Sequence, residues 1–283
     1  ENCIRLFADD TNVFITDKNL IELKNEGEQI LKDLHKWFAV NKLTMNIEKS
    51  CFSIFTSRQR DPDMFSKLEF EEHTISKVQS AKYLGIILDD KLTWDEHVES
   101  VSNSLTKYLN CFKYIRKHIP AHCAKILYYS FIYSKISYGI EIYGKTSNTN
   151  MHKLQVIQNK SLKILLNLHP RTPTDLTHSH AQVLKVHHIY EYVTINFVHK
   201  QVNGKLPSIY NNYFKQNNRI HQHFTRNNTN LHLPQINTRH GHNMTKFMGP
   251  YLWNKLPNNV KDIPSNLRFR QQLKKHYLQT YNK

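Results

Sequence analysis

Residues 4–16 read IRLFADDTNVFIT, two short apolar segments on either side of a pair of aspartates. Segments of this length that are rich in β-branched and aromatic residues predict strands, and adjacent aspartates are typical of a tight turn. We therefore expect strands over Ile4 to Ala8 and over Thr11 to Thr16, joined at Asp9 and Asp10. The expected product is a hairpin that carries two carboxylates at its tip.

A helix and further strands are predicted after this hairpin. Asn19 is suited to cap a helix whose apolar residues recur three, four and seven positions apart as far as Trp37 and Phe38. After Asn41 the apolar residues alternate with polar ones, which predicts more strands. The first ninety residues therefore indicate an α+β fold, with an antiparallel sheet and one packed helix.

The period of the apolar residues becomes helical after Trp94. One apolar stripe leads to Ile115 and is stopped by Pro120. Further helices are predicted over 121–135, 151–168, 180–202 and 266–281. No apolar segment approaches the roughly 20 residues that a membrane span needs, so we expect no membrane span. The chain starts at Glu1 without a leader and is expected to be a fragment.

Charge divides the chain into two parts. Residues 1–100 contain 13 lysines and arginines against 19 aspartates and glutamates, whereas residues 101–283 contain 26 against 4. A long positive region attracts polyanions, and nucleic acid is the leading partner, ahead of an anionic membrane surface. The alternative is a basic face that merely keeps the protein in solution.

The basic region contains candidate residues for binding phosphates. They are Lys107, Lys113, Arg116, Lys117 and Lys125, with Tyr108, Phe112 and Tyr114 between them. Stacking on bases needs an exposed ring, and we expect most of these aromatic residues to lie in the core instead. The histidine pairs His178/His180, His221/His223 and His240/His242 lack a neighbouring cysteine pair or a His-Glu-x-x-His helix, so no metal site is predicted from them.

A pair of aspartates is a weak signal by itself, because Asp89-Asp90 occupies another predicted turn. An ordered series of motifs makes it specific. The series comprises Phe7-Ala8-Asp9-Asp10, Asn41-Lys42-Leu43 with Asn46-Ile47-Glu48-Lys49-Ser50, Lys82-Tyr83-Leu84-Gly85-Ile86 with Leu92-Thr93-Trp94, and Gly249-Pro250-Tyr251-Leu252-Trp253-Asn254-Lys255-Leu256-Pro257. In this order, over nearly its whole length, the chain resembles the reverse transcriptases of jockey-like non-LTR retrotransposons.

This resemblance implies nucleotidyl transfer with two Mg²⁺ ions. Asp9 would be the main metal ligand. Asp10 would make a weaker contact, or would be only a turn residue. Lys49 would lie near the triphosphate, or would be a plain surface lysine. Tyr83, Leu84 and Gly85 would form a turn against the primer backbone, or would merely close a strand.

The resemblance also implies a domain order. Residues 1–92 would be the C-terminal half of a palm, 93–168 a helical thumb and 169–283 a basic, mainly helical C-terminal region. The family's further palm aspartate and its fingers precede these motifs, so we expect the chain alone to be inactive. The implied partners are an RNA template, a DNA primer and, in the intact enzyme, dNTP, in the nucleus or cytoplasm. The alternative is a non-catalytic nucleic-acid-binding protein derived from such an element.

Overall fold

The computed structural model describes residues 3–56, 65–220 and 230–282. The chain forms two compact units, Glu1–Trp94 and Asp95–Lys283. The first unit combines short strands with one long helix, and the second is helical. The α+β fold class predicted from the periodicity is therefore confirmed.

The strands of the first unit form three small sheets. Strands β1 and β2 make one antiparallel hairpin, and β6 and β7 make another. The third sheet is mixed, with the order β3-β5-β4, because β3 runs parallel to β5. The elements are β1 (Cys3–Phe7), β2 (Asp10–Phe14), α1 (Leu20–Val40), β3 (Cys51–Phe52), β4 (Lys67–Phe70), β5 (His73–Lys77), β6 (Ser80–Tyr83) and β7 (Ile86–Asp89).

Helix α1 begins where its cap predicts and packs on the mixed sheet. The Asn19 side chain accepts a hydrogen bond from the Ile21 amide at 3.0 Å, which satisfies one of the free N–H groups of the first turn. Gly27 is buried in the middle of the helix, and a methyl group there would lie 3.6 Å from Leu68 of β4 and 3.7 Å from Ile15. The helix therefore covers both β4 and the end of the first hairpin.

The second unit is built from eleven α-helices in its described residues. They are α2 (Asp95–Ile115), α3 (Ala121–Leu127), α4 (Ser134–Ser137), α5 (Ile140–Tyr143), α6 (Asn148–Leu165), α7 (Thr174–Ala181), α8 (Val186–Val202), α9 (Arg239–Asn243), α10 (Thr245–Lys255), α11 (Asn258–Lys261) and α12 (Asn266–Gln279). A π-helical turn, Tyr128–Tyr133, joins α3 to α4 without a break. None of the described helices is both long and apolar enough to cross a bilayer.

Helix α8 is the centre of this unit. It is buried on most of its circumference, including Ile189, Ile195 and Val198, and it packs against α5, α6, α10 and α12. The helix predicted over 180–202 ends at Val202 as expected but begins only at Val186, because the chain divides there into α7 and α8. Gln182 adopts a left-handed φ of +56° at the end of α7, and this conformation stops a right-handed helix.

The C-terminal Gly-Pro-x-x-Trp-Asn motif packs α10 onto α8. Gly249 lies so close to Phe214 and Val198 that a methyl group there would be 2.8 Å and 3.0 Å from their carbons. The Asn254 amide accepts from the Leu231 N–H at 3.0 Å and donates to the Leu231 carbonyl at 2.8 Å. These residues hold the preceding segment against the core.

Candidate functional site

The two predicted catalytic aspartates lie at the tip of the first hairpin. Phe7 pairs with Asp10, so Ala8 and Asp9 form a two-residue turn and Asp10 begins β2. Ala8 has a φ of +52°, a region that residues other than glycine adopt uncommonly. Both carboxylates are exposed. The strand ends differ from the predicted ones by one residue, and by two at the end of β2, because Ala8 belongs to the turn.

The Asp9 and Asp10 carboxylates at this tip could supply some of the oxygen ligands of a hard cation. Carboxylate oxygens suit Mg²⁺, which is usually bound by one or two carboxylates together with phosphate oxygens and water. Among the described residues, however, no three His, Cys, Asp or Glu side chains cluster so that they could hold a metal ion. Asp9 and Asp10 thus do not form a complete metal site with other residues that the structure describes, and we derive no catalytic step from them alone.

Asp89, in the second aspartate pair, has a different environment. Its carboxylate is buried and accepts hydrogen bonds from the Thr93 amide at 2.8 Å, the Thr93 hydroxyl at 3.1 Å and the Trp94 amide at 2.7 Å. In the described part of the chain, Asp9 and Asp10 accept no such bonds. Asp89 therefore stabilises the approach to α2, whereas the hairpin aspartates have no comparable structural role.

The Tyr83-Leu84-Gly85 segment forms the second hairpin turn. Leu84 and Gly85 both have positive φ, +46° and +83°, which is the geometry that matches the twist of a two-residue hairpin. The Tyr83 ring meets Phe14 edge to face, with centroids 5.9 Å apart. Phe14 is four residues from Asp10 along β2, which is about 13 Å at ~3.3 Å per residue. Tyr83 thus contacts the base of the aspartate hairpin rather than its tip.

Lys49 lies in a short 3₁₀ turn, Ile47–Lys49, directly before β3. Asn46 caps this turn by accepting a hydrogen bond from the Lys49 amide at 3.1 Å. The Lys49 side chain is exposed, and it makes no hydrogen bond or ion pair with Asp9 or Asp10 in the described residues. The local structure therefore gives a backbone role to Asn46 in this motif. It gives none to the Lys49 ammonium group, which lies in solvent.

The predicted phosphate-binding residues lie on α2, the 3₁₀ turn after it and α3. Lys107, Lys113, Lys117 and Lys125 are exposed, and Arg116 is partly exposed. None of these five cations pairs with a carboxylate within the described residues. They therefore present uncompensated positive charge.

The aromatic residues between these cations divide into core and surface. Phe112 is 1% exposed and Tyr108 is half-buried against Phe131, as expected for core residues. Tyr114 differs, because 73% of its surface is exposed. Its ring lies 5.3 Å from His118. The periodicity could have identified Tyr114, since it lies off the apolar stripe of α2.

The histidine pairs of the sequence differ in burial, because His178 is buried whereas His180, His240 and His242 are exposed. His178 is fully buried, with one ring nitrogen 3.2 Å from the Val183 carbonyl and the other 2.9 Å from the Asn159 amide oxygen. Burial lowers the pKa of His178 to about 4, so its ring is neutral near pH 7. The pair His221/His223 lies outside the described residues.

Several known polymerases are similar to this chain in sequence. The RNA-directed DNA polymerase from the mobile element jockey of Drosophila melanogaster is 24% identical over 163 residues, 56% of this chain. The jockey polymerase of Drosophila funebris is 27% identical over 168 residues, 58% of the chain. The probable RNA-directed DNA polymerase from transposon BS of Drosophila melanogaster is 26% identical over 162 residues.

Each of these matches spans 18% of the relative's own length. No family model matches the chain, and no solved structure matches it either. Over rather more than half of its length, the chain is therefore similar in sequence to RNA-directed DNA polymerases of the mobile element jockey and transposon BS.

Proposed function

We propose that this chain is a part of a reverse transcriptase from a non-LTR retrotransposon. In this proposal residues 1–92 belong to the palm, residues 93–168 are the thumb and residues 169–283 are a basic C-terminal region. One observation carries it. The Phe7-Ala8-Asp9-Asp10 sequence folds as a tight antiparallel hairpin with both carboxylates exposed at its tip, free of hydrogen bonds to other described residues.

Asp9 is the proposed metal ligand, because it occupies the turn itself. Asp10 starts β2 and its side chain diverges from that of Asp9, so it contributes less directly. When bound, two Mg²⁺ ions would stabilise the attacking and leaving oxygens of nucleotidyl transfer. Lys49 would face the triphosphate of the dNTP, and the turn of Tyr83, Leu84 and Gly85 would face the primer.

The chain alone should not polymerise DNA. Two adjacent carboxylates would hold the metal ions loosely and would leave the triphosphate poorly positioned, so the proximity that the reaction needs is lost. Purified chain with Mg²⁺, a primed RNA template and dNTPs should give no extension. Extension that disappears in Asp9→Ala would refute the proposed inactivity.

The polymerase proposal itself is tested with the complete reading frame that contains this chain. Asp9→Ala should abolish Mg²⁺-dependent primer extension, whereas Asp90→Ala, at the other aspartate pair, should retain it. Circular dichroism of both variants shows whether they are folded. Equal activity of Asp9→Ala and unaltered protein would reject Asp9 as a metal ligand.

The excess of positive charge favours a second candidate function, that of a non-catalytic nucleic-acid-binding protein. The exposed cations on α2, α3 and the turn between them carry this alternative. Affinity for RNA should fall steeply with salt, and each phosphate contact adds about 0.7 to the log-log slope for a single strand. Replacing Lys113 and Lys117 by glutamine should lower this slope. A complete reading frame that binds RNA but never extends a primer would favour this candidate.

A further inference from the structure

Five side chains of the second unit form a cluster that is rich in hydrogen-bond donors. We call it the donor cluster, and it contains Tyr129 and Tyr133 of the π-helical turn, Tyr192 of α8, and Arg270 and Lys274 of α12. Three separate elements contribute to it. None of these residues belongs to the motifs that resemble the polymerases or to the predicted phosphate-binding residues.

Two phenol groups hold the two cations in place. The Lys274 ammonium donates to the Tyr129 hydroxyl at 2.9 Å and lies 5.5 Å from the centroid of the Tyr129 ring. The Arg270 Nε donates to the Tyr192 hydroxyl at 3.2 Å. Arg270 and Lys274 are four residues apart on α12 and therefore lie on the same face of the helix.

Tyr133 completes the cluster between these two pairs. Its ring centroid is 5.1 Å from that of Tyr129, and Tyr192 and Arg270 lie near enough to influence the pKa of its hydroxyl. Burial raises the pKa of Tyr133 to about 12, so the hydroxyl keeps its proton and stays a donor near pH 7. Tyr133 thus lies beside both of these pairs.

The cluster has more donors than acceptors. Arg270 uses only Nε for its bond to Tyr192, which leaves four N–H groups, and Lys274 has two N–H groups beyond its bond to Tyr129. The Tyr129 and Tyr192 oxygens each accept from a cation, and each phenol keeps its own O–H as a donor. Neither cation pairs with a carboxylate in the described residues. An anion with several oxygens would satisfy these donors together.

The structural alternative is that the tyrosines merely anchor α12. Anchoring by itself calls for apolar contacts, which Phe269 and Leu273 on the adjacent face already provide with no exposed surface. Two positive charges side by side on one helix face repel each other, which costs stability. A π-helical turn is rare and recurs at functional sites, and here it supplies two of the hydroxyl groups.

We propose that the donor cluster binds a phosphate group between Arg270 and Lys274. Arginine can grip two phosphate oxygens at once, lysine supplies a point charge, and phenol hydroxyls donate to the remaining oxygens. The phosphate belongs either to a polynucleotide backbone or to a free phosphate or nucleotide. The first source rests on the proposed function of the chain.

The test uses the whole 283-residue chain. Arg270→Gln and Lys274→Gln each remove a cation, and Tyr129→Phe removes a hydroxyl at constant charge. Arg268→Gln and Lys275→Gln are matched controls, because both residues are exposed on the same helix and lie outside the cluster. Circular dichroism checks the fold of each variant.

Two measurements distinguish the sources of the phosphate. The first is the salt dependence of binding to a single-stranded RNA oligonucleotide, and the second is the rise in Tm with inorganic phosphate relative to chloride at equal ionic strength. If the cluster holds one backbone phosphate, each cation variant weakens RNA binding about tenfold, as for a charged hydrogen bond. The log-log slope falls by about 0.7, and the double variant loses no more than either single variant.

If the cluster variants lose the phosphate-induced rise in Tm but bind RNA unchanged, the ligand is a free phosphate. This result still supports a phosphate site at the donor cluster. Equal weakening by the control variants, or no change with Tyr129→Phe in either measurement, would overturn it. A chain that binds no polynucleotide would refute the proposed function, while the inorganic phosphate measurement would still decide about the donor cluster.

Discussion

Gly249 in α10 allows a direct test of how the C-terminal motif holds the second unit together. A methyl group at this position would be 2.8 Å from Cζ of Phe214 and 3.0 Å from Cγ2 of Val198. Both neighbours are buried, so neither can move away without disturbing the core. Gly249→Ala should therefore push α10 away from α8.

The expected loss of stability follows from two opposing effects. Alanine in a helix interior is favoured over glycine by about 0.8–1 kcal/mol, but Pro250 follows directly and disfavours helical backbone for a preceding residue with a Cβ. Overpacking of a core costs typically 1–3 kcal/mol. We expect a net loss of about 2 kcal/mol, which lowers the Tm of a unit of this size by roughly 4–8 °C.

Urea unfolding followed by tryptophan fluorescence measures this loss. Trp253 is the single tryptophan of the second unit, so a background with Trp37→Phe and Trp94→Phe reports on that unit alone. Gly27→Ala is the control, measured by circular dichroism. A methyl group there meets Leu68 at 3.6 Å, an ordinary contact, so the substitution should leave the first unit equally stable or stabilise it.

A second substitution shows whether Phe214 is the obstacle. Phe214→Leu in the Gly249→Ala background should recover part of the loss, so that the two changes are not additive. If Gly249→Ala leaves the urea midpoint unchanged or raises it, the close packing of α10 on α8 is refuted.

Two further predictions concern buried polar groups of the second unit. Burial lowers the pKa of His188 to about 3 and of His178 to about 4, from 6.5, so the unfolded chain binds more protons. Stability is therefore greatest above pH 6.5 and falls as the pH drops towards 4, by up to about 1.4 kcal/mol per pH unit for each ring. His188→Asn should reduce this dependence of stability on pH. A urea midpoint of the unaltered chain that stays constant from pH 7 to 4.5 would contradict the prediction. Asn254→Ala leaves the N–H and carbonyl of the buried Leu231 without partners. Urea unfolding should show a loss of stability of about 2–3 kcal/mol. An unchanged urea midpoint would mean that water replaces the Asn254 amide.

Local signals in the sequence predict those parts of the fold that depend on neighbouring residues. Asn19 caps α1 as expected, the apolar stripe of α2 ends before Pro120, and Asn266 begins α12. The split between α7 and α8 was missed, because Gln182 is not a residue that favours a left-handed conformation. Packing of the buried His178 onto Asn159 fixes that corner, and sequence periodicity carries no information about it.

Contacts between distant segments could not be predicted either, because sequence periodicity carries no information about tertiary packing. Tyr129 and Lys274 are 145 residues apart, and Tyr192 and Arg270 are 78 apart. Each of these residues alone predicts an ordinary surface or core position. Only the fold brings the tyrosines to α12, so a site made of one or two residues from each of three elements leaves no recognisable motif in the sequence.

The motifs that resemble the polymerases differ in what the structure requires of them. Gly249 and Asn254 are each accounted for by packing or by backbone hydrogen bonds, so folding alone is a sufficient reason for these residues. The side chains of Asp9 and Asp10 contribute neither to the described core nor to any hydrogen bond among described residues. The positive φ of Ala8 belongs to the two-residue hairpin turn, as at Leu84 in the second hairpin. Two adjacent exposed carboxylates repel each other and bring no benefit to stability. The chemical argument for the proposed polymerase function therefore rests on this hairpin, and the C-terminal motif adds no evidence of catalysis.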